Sequence, residues 1–173
     1  FKVHPDLMDR VEKILNWTLD CGMVAIINIH HENEWIKQVP TDSKAKEKFT
    51  SIWKQICERF EKYGDHLLFE PMNEIGYDEI WTPWSGSEAD KAKALGYVND
   101  LNQLFVDIVR NSGGNNAKRQ SVGGNLQHQL GVCLRPLVQD ARMIPQTDLL
   151  LQCITILPQT LPYWVEARLS IGV

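Results

Sequence analysis

Five apolar residues in succession, Met23-Val24-Ala25-Ile26-Ile27, set the strictest condition on how this chain folds. A run without polar alternation has no face to give to water. As a strand it must be covered on both sides, which is the situation of a parallel sheet packed under helices. Leu67-Leu68-Phe69, ahead of Glu70, is a second run of this kind. The segments around them read as helices. Apolar residues recur at Leu7, Val11, Ile14, Leu15 and Leu19 behind Pro5-Asp6, and Gly22 closes that segment. From about Ser43, the positions Phe49, Ile52, Trp53, Ile56, Cys57 and Phe60 mark a buried face, and Lys44, Lys46, Glu47 and Lys48 a wet one. A third helix runs from about Glu88 to Asn111, with Val98, Leu101, Leu104, Phe105, Ile108 and Val109 inward, and Gly113-Gly114 ends it.

The order is helix, strand, loop, helix, strand, loop, helix, so the fold class is α/β with a parallel sheet. Each strand leads into a polar loop, His30 to Asp42 and Pro71 to about Ser87. In a (β/α)8 barrel the chemistry sits at such strand ends. A doubly wound open sheet fits the alternation equally well, although no GxGxxG or Walker-type phosphate loop supports it.

With 173 residues the chain is of one-domain length, and 43% hydrophobic with 23% charged residues is the balance of an ordinary globular protein. A net charge of −4 argues against a nucleic-acid binder. No run of the sequence is long and apolar enough to span a membrane. Phe1 is not an initiator Met and no signal layout follows it, so the true beginning is expected upstream. Cys21, Cys57, Cys133 and Cys153 form no CxxC pair, which speaks against a zinc knuckle. Cys57, on the apolar side of its helix, is predicted to be a buried free thiol.

Two polar clusters end the two strands: Asn28-Ile29-His30-His31-Glu32 with Trp35, and Phe69-Glu70-Pro71-Met72-Asn73-Glu74. Polar side chains at consecutive strand ends can converge on one pocket. His30, His31 and Glu32 offer metal-ligating chemistry, but adjacent residues on a strand end point in different directions, so no metal site is expected. Glu70, one strand step deeper, reads as a structural carboxylate held by hydrogen bonds or an Arg. Trp81 and Trp84 in the second loop either bind sugar or cover the mouth of the fold. Trp53 reads as core.

The sequence Ile-Asn-Ile-His-His followed by Phe-Glu-Pro-Met-Asn-Glu resembles family 5 glycoside hydrolases, the cellulases, endoglucanases and mannanases of the β/α-barrel glycosidase clan. The stretch from Val98 to Gln103 and on through Arg110 to Asn116 is similar to the fourth helix of bacterial endoglucanases of this family. The resemblance covers about residues 5 to 119. It implies a (β/α)8 TIM barrel of which about half is present. Glu74 then matches the general acid/base, and Asn73 the neighbour that binds the sugar 2-hydroxyl. His30 and His31 match the paired histidines lining the cleft, and Trp35 a stacking platform. The reaction that the resemblance implies is retaining hydrolysis of internal β-1,4 bonds in cellulose or a related β-glucan, with mannan or xyloglucan as alternatives. It needs no metal or organic cofactor. The implied partner is a polysaccharide, with no nucleic acid or membrane partner and a monomeric chain. A polymeric substrate that cannot enter a cell implies an extracellular, secreted enzyme.

Such chemistry is well matched to these residue types. Cleavage requires a carboxylic acid to protonate the leaving oxygen, and a second carboxylate roughly 5–5.5 Å away to attack the anomeric carbon. An Asn side chain holds the 2-hydroxyl, and flat rings meet the C–H faces of glucose. The nucleophile belongs on a later strand. Glu166 is the only Glu after Glu88, and its setting, Val165-Glu166-Ala167-Arg168, does not resemble the nucleophile strand, so it is not assigned.

Beyond Arg119 the resemblance stops where a fifth strand is due, and residues 120–173 form an unassigned tail without clear periodicity. A shifted reading frame is the expected cause. Codons for Gln152 to Leu161, read two nucleotides on, permit Val-His-Tyr-Tyr-Thr-Pro-Pro-Asp-Phe, which resembles the family's sixth strand. Those for Gln127 to Ala141, shifted by one, permit a family-like Ser-Thr-Asn-Trp-Gly-Phe. On this reading the barrel stays open, with unpaired strand edges, and the chain is marginally stable. Two other function classes stand beside hydrolysis: a carbohydrate-binding unit that does not cut, and an inactive product of a damaged gene.

Overall fold

A computed structural model describes residues 1–30, 32–73, 75, 77 and 86–123, with the backbone of 155–158 and 165–166. Helix α1 (Pro5–Asp20) leads into strand β1 (Met23–Asn28), then the short helix α2 (Asn33–Ile36) and the long helix α3 (Ser43–Phe60). Strand β2 (Leu67–Glu70), helix α4 (Glu88–Asn111) and a 3-10 turn (Gly114–Lys118) follow. Strands β3 (Thr155–Pro158) and β4 (Val165–Glu166) complete the order.

Local chemistry sets the helix ends. Pro5 occupies the first turn of α1, where a missing N–H costs nothing, and the His4 ring accepts from the Asp6 N–H. Asp42 caps α3 by accepting from the Lys44 and Ala45 N–H groups. Ser87 and Asp90 form a reciprocal capping box on α4. At the other end of α4, Gly113 and Gly114 take φ of 77° and 53°, conformations that side chains disfavour, and so turn the chain into the 3-10 segment.

β1 and β2 are parallel, with Ala25 opposite Leu67 and Asn28 opposite Glu70. Their alternation separates two environments. Ala25, Ile27, Ile29, Leu67 and Phe69 join the main core with the buried faces of α1, α3 and α4. Trp53 is its hub, with ring centres 6.4 Å from Phe49, 5.5 Å from Phe69 and 4.6 Å from Phe105. Ile26, Leu68 and Val122, with Val24 packed on them, form a separate cluster on the other face of the strands. Among the described residues, the three long helices thus lie on one face, and Val24, Ile26, Leu68 and Val122 pack on the other. That is the layering of a (β/α)8 barrel; a doubly wound sheet has helices on both faces.

The chain's order continues past Arg119. Ser121 bridges Phe69 in parallel, the Val122 N–H donates to the Phe69 carbonyl at 2.9 Å, and the Phe69 N–H donates to the Gln120 carbonyl. Ser121, Val122 and Gly123 are buried. A third parallel position therefore begins in the segment left unassigned by sequence. The expected open edge of β1 also differs. β3 lies antiparallel along its start, Met23 opposite Pro158 and Val24 opposite Leu157, and β4 pairs antiparallel with β3. The rest of residues 124–173 lies outside the described residues, with Cys133, Cys153 and the Glu166 side chain.

Arg119 secures the end of the strands away from their polar loops. It is 2% exposed and donates to the carbonyls of Phe60, Tyr63, Gly64 and Leu67 and to Asn116 Oδ1, while its guanidinium lies over the Phe69 ring at 4.7 Å. Cys57 is free and fully buried, as its place on the apolar face predicts. Trp17, by contrast, is 58% exposed.

Candidate active site

The polar residues at the strand ends occupy positions that the pleat dictates. Ile26 and Leu68 face away from the helices, so Asn28 and Glu70, two residues on, continue the same row. Ile29 packs on the helix side, which places the buried His30 on the inner row as well. A polar layer thus sits directly beyond the apolar plug. Asn28 is 1% and Glu70 3% exposed. The Asn28 amide donates to Glu70 Oε2 at 2.7 Å, so Glu70 is a structural carboxylate held by a hydrogen bond. Asn28 Oδ1 has no hydrogen-bond partner among the described residues.

Beyond this layer the loop after β2 is sewn back to β1. The Asn73 N–H donates to the Ile29 carbonyl at 3.0 Å. Pro71 cannot extend the ladder with an N–H of its own, and its carbonyl accepts the indole N–H of Trp53 at 3.3 Å. Met72 and Ile75 are fully buried. Asn73 is half-buried on a backbone anchored from both sides. His30 and Asn73 are therefore brought to one end of two neighbouring strands. Glu74 and His31, the other two residues expected in the cleft, lie outside the described residues, as do Trp81 and Trp84.

Trp35 stands on α2, a helix too short to show a period in the sequence. Its indole N–H donates to the Glu32 carboxylate, and Lys48 of α3 places its ammonium 4.2 Å from the ring centre. One face of the ring is thus occupied by a cation. Tyr77 links the two loops, donating its hydroxyl to the Lys37 carbonyl at 2.7 Å, with its ring 6.0 Å from that of Tyr97. Neither Tyr77 nor Lys48 was singled out by sequence as part of the site. Their only signal is spatial, since each acts across more than ten residues of chain. Among the described residues no group of three His, Cys, Asp or Glu side chains is arranged to hold a metal.

Comparison with known proteins gives this arrangement a context. Residues 1–126 match the family Cellulase (glycosyl hydrolase family 5). "Cellulase/esterase CelE" of Acetivibrio thermocellus is 42% identical over 153 residues, covering 83% of this chain and 18% of that protein. "Endoglucanase A" of Ruminococcus albus is 38% identical over 122 residues, covering 69% and 32%. Among solved structures, ZgEngAGH5_4 in complex with a cellotriose superposes with a TM-score of 0.61 at 36% identity, over 71% of this chain and 37% of that one. The chain spans a third or less of the length of the two curated relatives.

Proposed function

Because this chain belongs to the glycosyl hydrolase family 5 cellulases, we propose that it supplies part of the active site of a retaining β-glucan hydrolase, with Glu74 as its general acid/base. The observation that carries this reading is the anchoring of Asn73 beside β1. The Asn73 N–H on the Ile29 carbonyl and the Asn28–Glu70 bond below it hold Asn73, the residue before Glu74 in sequence, at the mouth end of two parallel strands. The names of the relatives, cellulase and endoglucanase, support β-glucan as the substrate class.

The reaction proceeds in two displacements. Glu74 gives its proton to the glycosidic oxygen as a carboxylate from another strand attacks the anomeric carbon. The bond to the leaving sugar breaks and a glycosyl-enzyme forms. Glu74, now ionised, takes a proton from water, which attacks the same carbon and releases the sugar with its configuration retained. Asn73 holds the 2-hydroxyl, a contact that tightens as the ring flattens. His30 and His31 line the cleft. Cellulose or a mixed β-glucan is the proposed substrate, and the enzyme acts outside the cell, where such polymers are.

Reducing-sugar release from soluble β-glucan by the purified chain, beside its Glu74→Gln variant, tests this. Where the parent releases sugar, a loss of roughly a hundredfold or more in the variant is expected of a general acid. Equal release by both removes Glu74 from the role. Retention on β-glucan without any release from the parent assigns this chain to sugar binding and the hydrolysis to a longer protein.

A further inference from the structure

Lys48 lies on the side of α3 predicted to face water, yet its side chain is only 20% exposed. Its ammonium stands 4.2 Å from the centre of the Trp35 ring and 3.9 Å from the Glu32 carboxylate. Glu32 in turn accepts the indole N–H of Trp35. Three side chains thereby close a ring of contacts: cation to π-face, cation to carboxylate, carboxylate to N–H. An indole whose N–H points at an anion is a richer π-donor to the cation on its face, and each partner restricts the others' rotamers. Glu32 and Lys48 are both mostly shielded, so water screens the arrangement less than it would a surface pair.

This clamp holds a particular piece of backbone. The Ile36 N–H donates to the Glu32 carbonyl at 3.1 Å, and Ile36 and Val39 are buried, so α2 is pinned to the core on its far side. On its near side Glu32 is only two residues past His30. The clamp is thus the tie between α3 and the loop that leaves β1 at the proposed cleft. Lys48 is the one member contributed by a long helix, whose axis is fixed by the Trp53 cluster.

We propose that Lys48 is a positioning residue for the glucan site: it fixes Glu32 and Trp35 against α3 and so sets where the loop beyond His30 lies. The proposal rests on the glucan-site reading above. Lys48 acts through Trp35 and Glu32, without contact to sugar.

Affinity electrophoresis of the whole chain, in gels with and without soluble β-glucan, tests it when tryptophan emission is read alongside. Lys48→Met keeps the apolar stem and removes the charge; Lys48→Arg keeps the charge. The Met variant should lose about five- to tenfold in retention, the size of one shielded cation–π contact, and change the emission. That change should vanish in a Trp35→Phe background. The Arg variant should return retention to the parent's. Undiminished retention by Lys48→Met, with emission altered, overturns the proposal, because the clamp then positions nothing the sugar reads. Equal weakness of the Met and Arg variants overturns it too, since charge is then not what acts. If the parent itself is not retained, the glucan-site reading fails and the positioning role with it; a change in emission would still show the clamp to be formed.

Discussion

The side-chain amide of Asn28 donates to the Glu70 carboxylate at 2.7 Å, directly across the register that pairs these residues in neighbouring parallel strands. It ties the strands together at the level from which both loops depart. Removing the donor with Asn28→Ala leaves a nearly inaccessible carboxylate short of one bond, at an expected cost of about 1.5–3 kcal/mol. Asn28→Asp sets two carboxylates against each other. It should cost more near neutral pH than at about pH 4, where a shared proton bridges the pair. Urea denaturation at the two pH values distinguishes these effects. An Asp variant equally destabilised at both would show that charge repulsion is not involved.

Arg119 offers a second test, at the opposite end of the strands. Four of its five side-chain bonds reach the last turn of α3, the turn after it and the start of β2, and the fifth goes to Asn116 of the 3-10 turn. Arg119→Met leaves four main-chain carbonyls without that donor and should cost about 3 kcal/mol or more. Arg119→Lys should recover little, because an ammonium has no planar fork to serve several carbonyls at once. Denaturation midpoints of the two variants check this; a Lys variant matching the parent would refute the geometric argument.

Burial pushes the Cys57 thiol up to about 11 from an ordinary value of 9.0, with hydrogen bonding to Ser112 and the Arg119 charge pulling weakly the other way. Since the folded value is the higher one, the unfolded chain releases its proton first. The thiol's contribution is fully present below about pH 9 and is lost as pH climbs from there through about 11. Cys57→Ala should therefore flatten the alkaline decline in thermal midpoint. In a chain whose other cysteines are replaced by Ser, a thiol reagent near neutral pH should label Cys57 only on unfolding. Prompt labelling of the folded form would contradict its burial.

The helices were legible because their signals are local. Pro5, Ser43 and Gly113 stand where helices begin or end, and the apolar period between them does not depend on distant partners. The two buried strands were legible for the complementary reason, that an unbroken apolar run has few other uses. α2 was not, because four residues show no period and what stabilises it is the burial of Ile36 in a core built from other elements. The pairing of Gln120 to Val122 beside β2 was likewise invisible: three residues of unremarkable composition pair there because Phe69 offers an open ladder. At the site, the sequence placed His30 and Asn73 at the ends of two consecutive strands, which pair in parallel. It offered Trp35 as a stacking platform but gave no sign that the ring meets Lys48, thirteen residues on and on another helix. Partnerships between helices are written in three dimensions and leave no spacing to read.

The reversed strand beside β1 has a consequence for closure. In a parallel barrel every strand hands a fixed offset to the next, and the ring meets itself only when those offsets add to the right total. Thr155–Pro158 runs against Met23 and Val24, and Pro158 contributes no N–H to the ladder. The offset cannot be passed on through such a neighbour. Among the described residues, β1 is on this side the last strand to keep the count, and β3 is a full stop in an arithmetic that β1, β2 and Ser121 still obey.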